Sequence, residues 1–259
     1  MTTMTRAKVS SLAAILIYGT LGVFVRLVAL PSSLIALARS GIGTLFLLLL
    51  MAIKRQPPGF AAIRRNWKPL LLAGALLGFN WVAMFEAYRY TTVAVATLCT
   101  YMNPVIIVTG AAIFLHERLT LRKIVCVLVA LVGMVFVSGV TASGLPTGSS
   151  ATGILLGLLT AVLYGIIVLS NKTLRDISAY DRTAAQLLIA TFVLLPYCLL
   201  TEDLPALTIS AQQIGLLLVL GIVHTGFAYS LYFGSMQTLP AQTLAILSYL
   251  DPVTAVLLS

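Results

Sequence analysis

The sequence predicts an all-α integral membrane protein made of two inverted five-helix repeats, with nine membrane-spanning helices in its 259 residues. Three observations predict it. The chain is 60% hydrophobic and 9% charged, with a mean hydropathy of +1.06; a soluble domain carries roughly 25% charged residues. Apolar runs of about 20 residues recur from end to end, each long enough to cross a ~30 Å hydrocarbon layer as a helix. A signature in those runs is repeated: Tyr101-Met102-Asn103-Pro104-Val105 returns as Tyr249-Leu250-Asp251-Pro252-Val253. At the same spacing Gly78-Phe79 returns as Gly226-Phe227, Phe85 as Phe233, and Thr100 as Ser248. The runs are too long, and alternate too little, for barrel strands. A second span follows the first almost at once, so the N-terminus does not read as a cleaved signal peptide.

The spans lie near residues 9–29, 34–53, 69–90, 93–115, 122–140, 153–171, 184–201, 212–236 and 241–259. The first follows Arg6 and Lys8, carries Tyr18-Gly19, and ends at Arg26, placed to snorkel to the interface. The second follows Pro31-Ser32-Ser33, holds Arg39, and stops at Lys54-Arg55. The third starts after Arg64, Arg65 and Lys68 and carries Trp81, Phe85 and Tyr88 at helical spacing, beside Glu86 and Arg89. The fourth holds the first Tyr-x-x-Pro-Val segment, and Arg118, Arg122 and Lys123 separate it from the fifth. The sixth carries Thr160, Tyr164 and Asn171 as a polar stripe and leads to Lys172, Arg175 and Arg182 before the seventh. The eighth carries His224 and the series Thr225, Tyr229 and Tyr232; the ninth holds the second signature. Gly41, Gly43, Gly74, Gly78, Gly153 and Gly157 read as points of close helix approach.

Charge sets the orientation. With a cytoplasmic N-terminus, thirteen of the 16 basic residues fall on the cytoplasmic side, as the positive-inside bias requires. That places the loop at 142–152 and the Glu202-Asp203 segment outside. The net charge of +9 then follows from topology. The basic residues are spread over several loops, which argues against nucleic acid as a partner. The expected surroundings are membrane lipid and a small-molecule substrate. The oligomeric state is left open, and a monomer is sufficient.

A five-span unit crosses the membrane an odd number of times, so its second copy enters from the opposite side. The first repeat covers 1–140 and the second 141–259. The second shows four spans, so repeat logic places a tenth helix beyond the chain, about 30 residues of it; a natural nine-span protein is the alternative. A duplicated apolar unit of this kind marks a carrier with its site between two halves.

The order of these motifs resembles the EamA family of the drug/metabolite transporter superfamily. The matching segments are Tyr18-Gly19 with Tyr164-Gly165, Phe85-Glu86-Ala87 with Tyr90-Thr91-Thr92, the paired Tyr-x-x-Pro-Val segments, and Phe114-Leu115-His116-Glu117-Arg118-Leu119-Thr120. The last resembles the family's Gly-Glu-Arg-Leu-Thr run, with His116 where glycine is usual. The resemblance implies a ten-helix transporter fold around a central cavity that opens to one side at a time and moves small metabolites, often outward, across a bacterial inner membrane.

Candidate site residues follow from polar groups at membrane depth. Asn103-Pro104 and Asp251-Pro252 each put a polar side chain beside a proline that frees a carbonyl. They read either as a substrate or proton site, flanked by Tyr101 and Tyr249, or as kinked packing joints. Arg39 and Glu86 lie at similar depth. Glu86 pairs with Arg39 or Arg89 to make burial tolerable, or the two form a gate and a carboxylate-binding arginine. Tyr18, Trp81, Phe85, Tyr164 and Tyr229 read as cavity wall or as helix packing. Asp251, Glu86 and His224 are the candidates for proton coupling, with a neutral hydrogen-bonded histidine as the alternative for His224. Cys99, Cys126 and Cys198 fall in spans, read as buried packing with a reactive thiol as the alternative, and match no metal spacing.

No cofactor or metal set is legible. An integral-membrane enzyme is disfavoured, because the chain shows no His-rich box, Ser/His pair or phosphate loop. A channel is disfavoured for want of a pore-loop signature. The expected function is secondary transport of small metabolites by alternating access, with export of amino acids or related small polar compounds first and a multidrug or cation exporter second.

Overall fold

The protein is described by a computed structural model covering residues 3–91, 93–137, 150–203, 208–248 and 250. The regular elements among these are α1 (Thr3–Arg26), α2 (Ser32–Ile53), a short α3 (Phe60–Arg65), α4 (Trp67–Tyr90), α5 (Val93–Thr100), α6 (Asn103–Phe114), α7 (Leu121–Val137), α8 (Ser150–Thr173), α9 (Ala179–Thr201), α10 (Ala211–Gly221), a π-helical segment Ile222–Phe227, α11 (Ala228–Ser235) and α12 (Ala241–Leu247). Each sequence-predicted span overlaps one or more of these helices, the ninth over Ala241–Leu247, with residue 249 and residues 251–259 outside the described residues. Among the described residues, five helical stretches are each long and apolar enough to cross a membrane: Ser32–Ile53, Trp67–Ala87, Ala151–Thr173, Ala179–Thr201 and Ala211–Ser235. The 24-residue α4 is about 36 Å long at 1.5 Å per residue.

Polarity is arranged for lipid. Leu45, Leu48 and Leu49 on α2, Val125, Leu128 and Val129 on α7, and Phe192 and Leu199 on α9 are exposed, while Arg39, Asn80, Thr160, Gln186, His224 and Thr225 are buried. Helices that show apolar side chains outward and bury their polar ones are built for a hydrocarbon surround.

Packing follows the repeat. Helix α4 lies on α8 as α11 lies on α1. Helix α4 lies on α9 as α10 and the π segment lie on α2, and α5 and α6 lie on α8 as α12 lies on α1. Helices α2 and α9 meet each other. A two-fold exchange of the halves produces this pattern, with α2 and α9 beside the axis. Small residues allow it at equivalent points. A Cβ on Gly78 would stand 2.9 Å from Val193 of α9, and one on Gly226 would stand 2.6 Å from the Phe46 ring of α2.

One end of the bundle is tied by loops. Asn66 donates Nδ2 to the Arg175 carbonyl at 2.8 Å and accepts from the Arg175 amide at 3.1 Å. Asp181, in the first turn of α9, accepts from the Gly59 amide at 3.0 Å and from the Ser178 hydroxyl at 2.8 Å. Lys54 donates to the Tyr180 hydroxyl, and Arg65 pairs with Asp176 at 3.2 Å. The basic residues of these loops therefore share one face. At the opposite end the Ser33 hydroxyl donates to Glu202.

Three details differ from the sequence reading. The second-to-third connection contains α3, a six-residue helix too short to show a period. The fourth span is two helices, broken at Tyr101-Met102 rather than kinked, with Pro104 at the start of α6 where its missing N–H costs nothing. Cys126 is exposed on the lipid-facing side of α7, whereas Cys99 and Cys198 are buried.

Candidate functional site

Where α5 gives way to α6, the bundle holds a cavity of about 170 Å³. That is room for several waters or a compact solute. Its wall is Ile15, Tyr18 and Leu21 of α1, Arg39 of α2, and Asn80, Trp81 and Met84 of α4. It is completed by Thr100, Tyr101 and Asn103 of the broken span, Tyr164 of α8, Tyr229 and Tyr232 of α11, and Ser248. Elements from both halves therefore face one space.

The aromatic wall is interlocked. Tyr18 meets Tyr229 edge-on with ring centroids 5.7 Å apart, and Tyr232 at 6.1 Å. Trp81 meets Tyr229 at 6.4 Å, and Phe233 backs Tyr229 at 5.0 Å. Edge-to-face rings of this kind hold one another in register. The wall is apolar in body and hydroxyl-tipped.

Arg39 is the formal charge in this wall. It is 3% exposed. Its Nε donates to the Thr225 hydroxyl at 3.1 Å, and its guanidinium lies 5.1 Å from the Trp81 ring centroid. Among the described residues no carboxylate lies within ion-pair distance of it. A buried guanidinium without a counter-charge is costly unless a ligand or water completes it. The partner Thr225 sits in the π segment, where its Oγ1 also donates to the Leu220 carbonyl at 2.8 Å. Single π turns inside α-helices recur at functional sites.

The broken span supplies two more polar groups. Asn103 opens α6, is 8% exposed, and its Oδ1 has no hydrogen-bonding partner among the described residues. The helix N-terminus it marks carries partial positive charge toward the cavity. Thr100 donates to the Ala96 carbonyl at 3.0 Å, and Ser248 lies 3.2 Å from the Tyr232 hydroxyl. Asn80 anchors the far wall, its amide donating to the Thr160 carbonyl at 2.8 Å.

Of the sequence-predicted site residues, Tyr18, Arg39, Trp81, Tyr101, Asn103, Tyr164 and Tyr229 meet at this cavity. Phe85, Glu86 and His224 are not on its wall. Phe85 packs into the core behind it. Glu86 accepts from Arg89 at 3.2 Å and from the Tyr197 hydroxyl at 2.8 Å, so its ion pair is with Arg89 and not Arg39. His224 is 2% exposed, with Nε2 at 2.8 Å from the Thr20 hydroxyl and its ring against Phe24. Tyr249 and Asp251 lie outside the described residues, as do the side chains of Arg26 and Tyr88. Sequence reasoning did not single out Asn80 or Met84, whose place on the Trp81 side of α4 was the available signal.

Comparison with known proteins fits this architecture. The EamA-like transporter family matches residues 6–139 and again 151–259. An uncharacterized transporter, YxxF, of Bacillus subtilis (strain 168) is 27% identical over 253 residues, covering 97% of this chain and 80% of its own length. The aromatic amino acid exporter YddG of Ancylobacter novellus is 24% identical over 202 residues, covering 77% of this chain and 69% of its own. A protein of known crystal structure shares the fold with a TM-score of 0.86 at 23% identity, over 98% of this chain and 87% of that one. With matches to both halves and an all-helical bundle around a central cavity, the chain belongs to the EamA-like transporter family of drug/metabolite transporters.

Proposed function

We propose that this transporter exports small carboxylate-bearing metabolites, amino acids with apolar or aromatic side chains first among them, by alternating access through the central cavity. The observation that carries the reading is Arg39: a buried guanidinium on the cavity wall with no acidic partner among the described residues. Such a group is a ready receptor for a carboxylate, and the ring-lined wall suits an apolar side chain. The relative named as an aromatic amino acid exporter supports the substrate class. A cationic drug gains nothing from Arg39, which ranks the multidrug reading second.

The proposal extends to orientation and coupling. The basic loops lie at one face of the bundle, which the positive-inside bias assigns to the cytoplasm of a bacterial inner membrane. A cysteine at Gln56 then labels only after permeabilisation. Asp251, the repeat counterpart of Asn103, is the proposed proton-coupling or amine-binding group.

The test is counterflow of labelled L-phenylalanine, L-leucine and L-glutamate, against ethidium as the cationic control, in proteoliposomes with and without a pH gradient. Saturable exchange of the amino acids, lost in Arg39→Gln, supports the reading. Transport of ethidium alone defeats it.

A further inference from the structure

A second cavity, of about 380 Å³, opens at the basic end of the bundle, between the end of α8, the loop that follows it, and the turn after α11. Asn171, Lys172, Asp176, Met236 and Gln237 are on its wall. Asn171 is 3% exposed, and its Nδ2 has no hydrogen-bonding partner among the described residues. Lys172 spends two ammonium hydrogens on the carbonyls of Met236 and Leu239, at 2.7 and 2.6 Å, and keeps a third. The acid on this wall, Asp176, is already paired with Arg65. The cavity therefore offers the Lys172 ammonium and the Asn171 amide as donors, with Asp176 engaged by Arg65 and Glu117 held at the Ala241 and Gln242 amides.

The polar seam continues inward. Gln186 donates Nε2 to Asn171 Oδ1 at 2.7 Å. One turn earlier on the same face of α9, Arg182 is fully buried and donates Nη1 to the Phe233 carbonyl at 3.1 Å. Its Nε and Nη2, like Gln186 Oε1, have no partner among the described residues. Phe233 packs against Tyr229 and Tyr232, which line the central cavity. Buried polar groups in native proteins find partners. These groups form a polar seam that leads from the basic-end cavity toward the central one.

We propose that the basic-end cavity is a second station for the transported carboxylate, received by Asn171 Nδ2 and Lys172 Nζ before it passes Arg182 to the central cavity. This deepens the substrate reading above and rests on it. The step is binding alone, with no bond made or broken. On the proposed orientation the station faces the cytoplasm and is the first an exported molecule meets.

The test is initial-rate transport of radiolabelled L-phenylalanine by the full chain in right-side-out and inside-out vesicles. Asn171→Asp keeps the oxygen that accepts from Gln186 and replaces the free donor with a repelling carboxylate. It is expected to raise KM from the basic face about 5-fold or more, the loss of a charge-assisted contact, and to leave KM from the other face unchanged. Lys172→Gln, which keeps a donor for the Met236 carbonyl, gives the same one-sided rise and covers the case in which Asn171→Asp does not fold. Unchanged KM from both faces in a folded variant overturns the station, and so does an equal rise from both. Saturable transport that Arg39→Gln abolishes, together with an unaltered Asn171→Asp profile, overturns the station alone. No saturable transport by the wild-type chain overturns the station and the substrate reading together.

Discussion

Trp81 and Tyr229 stand at equivalent positions of the two repeats, and their rings meet edge to face with centroids 6.4 Å apart. Residues related by a two-fold axis touch only where they lie beside it. The contact therefore puts the axis through the aromatic wall, and the cavity is where the halves face each other. Thr100 and Ser248, another equivalent pair, also line it. Arg39 breaks the symmetry, since Leu187 occupies the matching position of the second half. One half thus supplies a cation for which the other has no copy, and on the proposed function that asymmetry orients a ligand with unlike ends.

Removing the cation tests this directly. Arg39→Gln is expected to raise KM for a carboxylate substrate about 10- to 100-fold, the worth of a hydrogen bond to a charged group, so that saturation is lost over the concentrations that saturate the wild type. Arg39→Lys keeps the charge but loses the guanidinium's place over the Trp81 ring and its bond to Thr225, and falls between wild type and Arg39→Gln. Concentration-dependent uptake in proteoliposomes measures both.

Thr225 holds Arg39 in place from the π segment. Thr225→Val keeps the shape and removes two bonds, to Arg39 Nε and to the Leu220 carbonyl. The expected cost is about 1–2 kcal/mol of stability, with a several-fold rise in KM because the guanidinium loses its rest position. A thermal melt of the purified variant and its substrate affinity report the two effects. Wild-type affinity with lowered stability would confine Thr225 to packing.

Much of this architecture can be read from the chain because its signals are local or periodic. The repeat shows in Tyr101 to Val105 and its second copy, and Asn103-Pro104 at membrane depth signals an irregularity in the fourth span, read as a kink where the structure has a break between α5 and α6. The pairing of Glu86 with Arg89 is a three-residue helical spacing. What stays hidden depends on packing between distant segments. Nothing near Arg39 in sequence shows that Trp81 will lie under it and Thr225 beside it. Asn66 and Asp181 look like ordinary loop and helix-start residues until the loops they tie are brought together. The π segment is hidden as well, because its extra turn residue is stabilised by Thr20 and Arg39 from other helices.

Close helix approach makes another prediction. A Cβ on Gly74 would stand 2.8 Å from the Ile189 Cβ, at the contact of α4 with α9. On Gly41 the nearest neighbour, a Thr191 methyl, is at 4.0 Å. Gly74→Ala should lower stability by about 1–3 kcal/mol through overpacking, and Gly41→Ala should be tolerated. Fluorescence-detected size exclusion after heating separates the two. Equal melting would mean that α4 and α9 yield at this contact.

His116 and Glu117 act as a pair at the basic end. His116 has φ of +52°, in the left-handed region that favours glycine, and the resemblance to the family's Gly-Glu-Arg-Leu-Thr run places glycine there. His116→Gly removes a left-handed strain of about 1–2 kcal/mol and gives back part of it as unfolded-chain entropy. The expected result is a net gain of about 0.5–1 kcal/mol, seen as a higher melting temperature. The turn this backbone makes directs Glu117 at the start of α12, where its carboxylate accepts from the Ala241 amide at 3.0 Å and from the Gln242 amide at 3.5 Å. The residue preceding α12, Pro240, offers no side-chain cap, so a carboxylate from the first half serves instead. Glu117→Gln removes the charge and keeps one acceptor, at a cost of about 0.5–1 kcal/mol; Glu117→Ala costs about 1–2 kcal/mol. In a double-mutant cycle the His116 gain should shrink when Glu117 is alanine, because the turn then has no carboxylate to aim. Full additivity of the two changes would show that the strained turn and the cap are independent.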